Sequence, residues 1–147
     1  MPEFLIWQHW MHLFGNRNFY KIPMTKIYKY EMLDMIYRAG QAVFEHGVDP
    51  KQYMSKCKDM GISWRSFIGW YVPAFKYMRN GITLKGSIPQ DVRKYMLERI
   101  YTDYGRDGLR LAIKSYIGTI EYYESMGINK SGDRLIAQHF LNILKND

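Results

Sequence analysis

Ser87 to Glu124 reads SIPQDVRKYMLERIYTDYGRDGLRLAIKSYIGTIEYYE. Its apolar residues recur at helical rather than strand spacing: Val92, Tyr95, Met96, Leu97, Ile100 and Tyr104, then Leu109, Ala112, Ile113, Tyr116, Ile117, Ile120 and Tyr123. Ser87 stands in an N-cap position, with Gln90 at capping-box spacing and Pro89 in the first turn, where its missing N–H is no loss. Asp103-Tyr104-Gly105 interrupts the pattern, and Gly105 sits where a left-handed C-cap residue belongs. Asp107 opens the second run with a carboxylate suited to a helix N-terminus, and Gly127 stops it. So short a turn makes the two helices antiparallel or steeply angled neighbours. The stretch therefore predicts a central helical hairpin of 88–104 and 107–126.

The flanking sequence supplies packing for this hairpin. A helix is expected from about Lys26 to His46, with Ile27, Tyr30, Leu33, Ile36, Tyr37, Val43 and Phe44 inward and Gly47 as its stop. Asp49-Pro50 reads as an N-cap followed by proline at the first helical position, opening a short helix to Met60 and Gly61. Ser63 opens the next helix, and Pro73 inside it should kink or split it before Asn80-Gly81. A last helix follows Ser131 or Asp133, with Leu135, Ile136, Phe140, Ile143 and Leu144 inward. No strand-like alternation occurs, so the expected fold is all-α, a compact bundle of about six or seven helices.

Residues 1–23 read as an apolar and then basic appendage to a single helical domain of 24–147, with Met24 able to serve as a start. Phe4, Leu5, Ile6, Trp7, Trp10, Met11, Leu13 and Phe14 are too many large apolar residues for one stripe of a surface helix. Residues 1–14 thus suggest an aromatic interface through Trp7 and Trp10, toward a second copy or another protein. The run is too short to span a bilayer, so no membrane partner is expected. No basic segment and small-residue cleavage site frame it as a secretory signal. The expected setting is cytoplasmic, consistent with the single cysteine, Cys57, which rules out an intramolecular disulfide.

The formal charge is +7 over 147 residues, which points to an acidic partner such as nucleic acid or an acidic protein surface. Between Lys76 and Lys114 nine Lys and Arg stand against four acids. Arg106, Arg110 and Lys114 are four apart and form a ridge on one helix edge. Arg93, Lys94 and Arg99 lie on the preceding helix, and Lys76 and Arg79 on the helix before that. These eight residues read either as a site for phosphate backbone or as a solvated face that keeps the chain soluble. Trp64 and Trp70, mixed with Arg65, Lys76 and Arg79, read either as base-stacking aromatics or as part of a core helix.

Catalytic chemistry has little support. His9 and His12 do not make a zinc site without further ligands. Glu121 and Glu124 have the spacing of an exposed helix edge as well as of an acid–base pair. Glycine-rich phosphate loops, nucleophile elbows and metalloprotease helices are absent from the sequence. No catalytic residue, metal or cofactor is assigned.

One resemblance extends this reading. Phe75-Lys76-Tyr77-Met78 with Gly81, then Tyr95, Leu97, Ile100, Asp103-Tyr104-Gly105, Leu109, Ala112 and Tyr122-Tyr123-Glu124, resembles a helical domain that accompanies HNH-type endonucleases of bacterial restriction and mobile-element systems. The resemblance covers about residues 63–124 and implies a DNA-associated targeting or scaffold module. No His-Asn-His module accompanies it in this sequence, so it carries over no catalytic residue. The expected function is a non-catalytic basic module that binds nucleic acid, DNA before RNA. The alternative is a small phage-encoded inhibitor or adaptor of the anti-CRISPR type, docked on an acidic surface of a bacterial nuclease defence complex.

Overall fold

The computed structural model describes residues 24–146. The interface expected of Trp7 and Trp10, the self-association through 1–14 and the paired His9 and His12 lie outside the described residues. Within them the chain is all-α, with no strand. Helix α1 spans Met24–His46. A 3₁₀ turn, Pro50–Tyr53, leads into α2, Met54–Met60. Helix α3 is built of three consecutive segments, Trp64–Ser66, Phe67–Tyr71 and Val72–Asn80. Helix α4 covers Gln90–Ser125 and is broken at Gly105, and α5 covers Ser131–Asn146.

The start and stop signals act largely as the sequence implies. The Asp49 carboxylate accepts from the Lys51 N–H at 3.0 Å, and the Ser63 hydroxyl accepts from the Ser66 N–H at 3.3 Å. Gly47, Gly61, Gly81 and Gly127 all take positive φ just past helix ends. One boundary differs. Pro89, not Ser87, occupies the N-cap of α4, with no side-chain cap, and the helix begins at Gln90.

The helices number five rather than six or seven, for two reasons besides the undescribed N-terminus. Pro73 falls in the first turn of the last segment of α3, directly after the boundary at Tyr71 and Val72, and the segments follow one another without a loop. Proline cannot donate to the carbonyl four residues back. The segment Phe67–Tyr71 widens into a π turn, and Val72 N–H bonds the Phe67 carbonyl instead. The hairpin arms in turn join through a single residue. Gly105 has φ 74° and ψ −163°, a region essentially reserved to glycine. Residues on either side of it are brought back together: Arg93 lies against Tyr116, with 4.7 Å from guanidinium to ring centre. Helix α4 is therefore the expected antiparallel hairpin.

Arm one of the hairpin is the axis of the molecule. Val92, Tyr95, Met96, Leu97 and Ile100 are buried, as are Leu109, Ala112, Ile113, Tyr116 and Ile120 on arm two. Tyr37, Phe75, Met78 and Phe140 close around them from α1, α3 and α5. Leu135 and Phe44, both expected inward, are 74 % and 38 % exposed; Ile136 and Ala137 beside Leu135 are buried, and Phe44 meets the core only edge-on against Phe75. The connection between α3 and α4 is pinned along arm two. The Ser115 hydroxyl donates to the Ile82 carbonyl at 2.6 Å, and the Thr119 hydroxyl to the Leu84 carbonyl at 2.7 Å. No helix among the described residues is long and apolar enough to cross a membrane.

Candidate nucleic-acid interface

Arm one carries three of the eight cations expected at a phosphate-binding surface, and two of them are not on the surface. Arg99 is 5 % exposed. Its guanidinium donates to Asp34 at 2.6 Å, to the Tyr95 hydroxyl at 3.0 Å and to Asp103 at 3.4 Å, and it lies over the Tyr37 ring. Tyr95 also donates to Asp34 at 2.5 Å, Tyr37 to Asp103 at 2.8 Å, and Arg38 to Asp34 at 2.7 Å. Asp34 thus collects three donors from two helices. Burial and the neighbouring carboxylates push the Tyr37 and Tyr95 phenols well above their ordinary range, so both remain donors. Arg93 is 2 % exposed and packs its guanidinium on Tyr116. Arg99 cannot contact a strand laid along the hairpin surface, and Arg93 borders only a narrow cleft beside Lys130. The reason is that residues 92–100 of arm one are buried except for Lys94, which is half-buried, so this stretch has almost no solvent face to carry charge.

The other cations divide. Arg79 stacks on the Tyr104 ring at 3.6 Å, and the Tyr104 hydroxyl bonds Glu45 and Gln41 of α1. Arg106 donates to the Leu144 carbonyl at 2.6 Å, near the C-terminal end of α5, where a cation meets the negative end of the helix dipole. Arg110 pairs with Asp107 at 2.7 Å, but both side chains are exposed, so the pair holds the arginine only weakly. Lys76 and Lys114 are exposed, and neither ion-pairs with an acid among the described residues. Lys94 is half-buried.

The end of α3 meets arm two closely. A side chain at Gly81 would touch Leu111 and Lys114, and the Arg79 guanidinium lies against Gly108. Beside this junction runs a groove of ≈ 490 Å³. Arg110 and Lys114 line it together with Thr83 and Glu121, over a floor of Ile113, Ile117 and Leu141. Of the expected ridge, Arg110 and Lys114 line this groove, while Arg106 is half-buried and turned to the Leu144 carbonyl.

The aromatic candidates are less available than their spacing suggests. Trp64 is half-buried and stacked on Phe67, with ring centres 5.6 Å apart. Trp70 keeps 42 % exposure but lies flat over the backbone of Gly86, where an added Cβ would come within 2.3 Å of the ring. A strip that sequence reasoning missed adjoins it. Lys85 reaches over Tyr122, Lys130 over Tyr123, and the two tyrosines meet edge to face. Only the adjacency of Tyr122 and Tyr123 hinted at it.

Other titratable groups are structural in setting. Burial pushes the Cys57 thiol up, away from a reactive thiolate. Burial raises Glu98 to about 7, with Arg99 opposing. His139 is lowered by burial and by Lys94. Among the described residues no group of three or more His, Cys, Asp or Glu is set to hold a metal ion.

No family model, curated protein or solved structure matches the chain. Of the residues on which the sequence suggested a likeness to HNH-associated domains, Phe75, Met78, Tyr95, Leu97, Ile100, Leu109 and Ala112 are buried core residues, and no comparison supports that likeness.

Proposed function

We propose that this chain is a non-catalytic helical module that binds nucleic acid through its phosphates, with the ridge of arm two as the contact surface. The observation that supports it most is that Arg110 and Lys114 line the groove together, with Lys114 exposed and in no ion pair with an acid among the described residues. Phosphate contacts of this kind fix position without reading bases, so sequence preference is weak. The setting is taken as cytoplasmic and the preferred strand as DNA. The reading leans on charge and geometry, because the likeness to HNH-associated domains rests on packing residues. An electrophoretic mobility shift with duplex DNA across a salt series tests it. Binding that weakens steeply with salt is expected. No shift at low salt overturns the reading.

One observation favours a second reading, a phage-encoded inhibitor or adaptor of the anti-CRISPR type. The groove floor is apolar, and Leu111 and Leu135 are exposed on the helices that bound it. Apolar residues framed by cations suit an acidic protein surface better than a phosphate chain. A pull-down from the native host, with and without nuclease treatment, separates the two. Partners lost on nuclease treatment favour nucleic acid, and partners retained favour the inhibitor.

A further inference from the structure

Arg93 is the anomaly of this core. It is 2 % exposed, and its Nε and Nη1 have no hydrogen-bond partner among the described residues. No carboxylate of a described residue comes within ion-pair distance of it, although Asp133 shares its cleft, and its guanidinium lies 4.7 Å from the Tyr116 ring centre. A buried charge is ordinarily paired, and an unsatisfied buried donor calls for a partner such as an ordered water or ion. Arg93 lines a small cleft with Gly86, Ser87, Tyr123, Lys130 and Asp133. Asp133 is already engaged, accepting from the Tyr116 hydroxyl at 2.5 Å and facing Lys130 at 3.8 Å. Two cations and one occupied carboxylate leave the cleft with an unopposed positive charge. Its volume of ≈ 10 Å³ is that of a single water-sized group.

We propose that this cleft is an oxyanion site, taking one oxygen of a phosphate group between Arg93 and Lys130. Trp70, lying over Gly86, and Tyr123, beneath Lys130, flank it with aromatic surface. The phosphate is either inorganic phosphate or that of a nucleic-acid strand. The site rests on the nucleic-acid reading only for the second source. It lies apart from the arm-two ridge, and charge-assisted contacts from a fixed guanidinium give it geometric selectivity.

The test follows the Nε–Hε signal of Arg93 by NMR, assigned by its loss in Arg93→Lys, while inorganic phosphate is titrated into the protein. Chloride at matched ionic strength is the control. A saturable shift with phosphate alone is expected, weakened about tenfold in Lys130→Gln. Lys130 is partly exposed, so that variant is expected to fold even if Arg93→Lys does not. A response that is linear, equal with chloride or unchanged in Lys130→Gln overturns the site, and a cleft that holds only water gives no saturation. A 5′-phosphorylated single-stranded oligonucleotide is then added to the phosphate-bound protein. Displacement identifies the strand as the source. Saturation by phosphate without displacement keeps the oxyanion site and removes nucleic acid from it.

Discussion

Arg99 donates to Asp34 at 2.6 Å, which ties arm one of the hairpin to α1 across 65 residues of chain. Both members sit largely out of water, with 6 % and 14 % of their side chains exposed. Removing one partner strands a buried charge. Asp34→Ala is therefore expected to cost about 3–5 kcal/mol in urea unfolding. Asp34→Leu combined with Arg99→Met should recover much of that loss, because the pair is then replaced by apolar packing. Strictly additive losses in the single and double variants would show that the two side chains do not act as a unit.

The hairpin turn depends on one backbone conformation. Nothing lies within 4 Å of a Cβ at Gly105, so space is not the constraint. Its φ of 74° with ψ of −163° is. Gly105→Ala is expected to destabilise by about 1–3 kcal/mol, read as a lowered melting temperature with helical content retained below it. Gly69→Ala is the control. It too has open space, but its φ is ordinary, so it should be neutral or gain up to about 1 kcal/mol.

Glu98 gives stability a pH dependence of its own. Its folded pKa, raised to about 7 by burial, exceeds the unfolded value of 4.5. Between those values the folded chain holds a proton that the unfolded chain has released. Stability from this group is thus full below pH 4.5, declines as pH rises toward 7, and is lost above it. Each pH unit in that window is worth at most about 1.4 kcal/mol. Glu98→Gln should flatten the slope and be more stable than the parent at pH 8, by on the order of 1–3 kcal/mol. Parallel pH–stability curves for the two proteins would refute the assignment.

On the binding side, Arg110→Ala and Lys114→Ala should each lower the salt slope of DNA binding by about one unit, with no change in melting temperature. Lys58→Ala, on α2, should leave the slope as it was. Equal effects at all three positions would mean that only overall charge matters.

Much of the architecture was legible because it is punctuated. Gly47, Gly61, Gly81 and Gly127 sit at helix ends as read, and periodicity located both hairpin arms. The candidate surface was less legible. A helical wheel assumes that charged residues turn toward water, and arm one violates that assumption because it has neighbours all round. Arg99 is inside because Asp34, Tyr37 and Tyr95 surround it. Two of those lie about 60 residues earlier, on a helix whose contact with arm one no local pattern announces. Arg93 is harder still, since an aromatic ring takes the place of an acid. At Pro73 the sequence marks a lost hydrogen bond but not the π turn that stands just ahead of it.

The segment between α3 and α4 carries an experimental consequence. Ser115 and Thr119 hold it by its carbonyl oxygens, and among the described residues Ile82 alone of 82–88 donates its amide to a backbone carbonyl, that of Tyr77. Amide hydrogen exchange senses N–H protection, and order parameters sense motion. The two should disagree here. Residues 83–88 should exchange quickly, as an unfolded loop does, while their backbone order parameters match those of the helices. Replacing Ser115 and Thr119 by Ala should bring the two measurements into accord by setting the segment in motion.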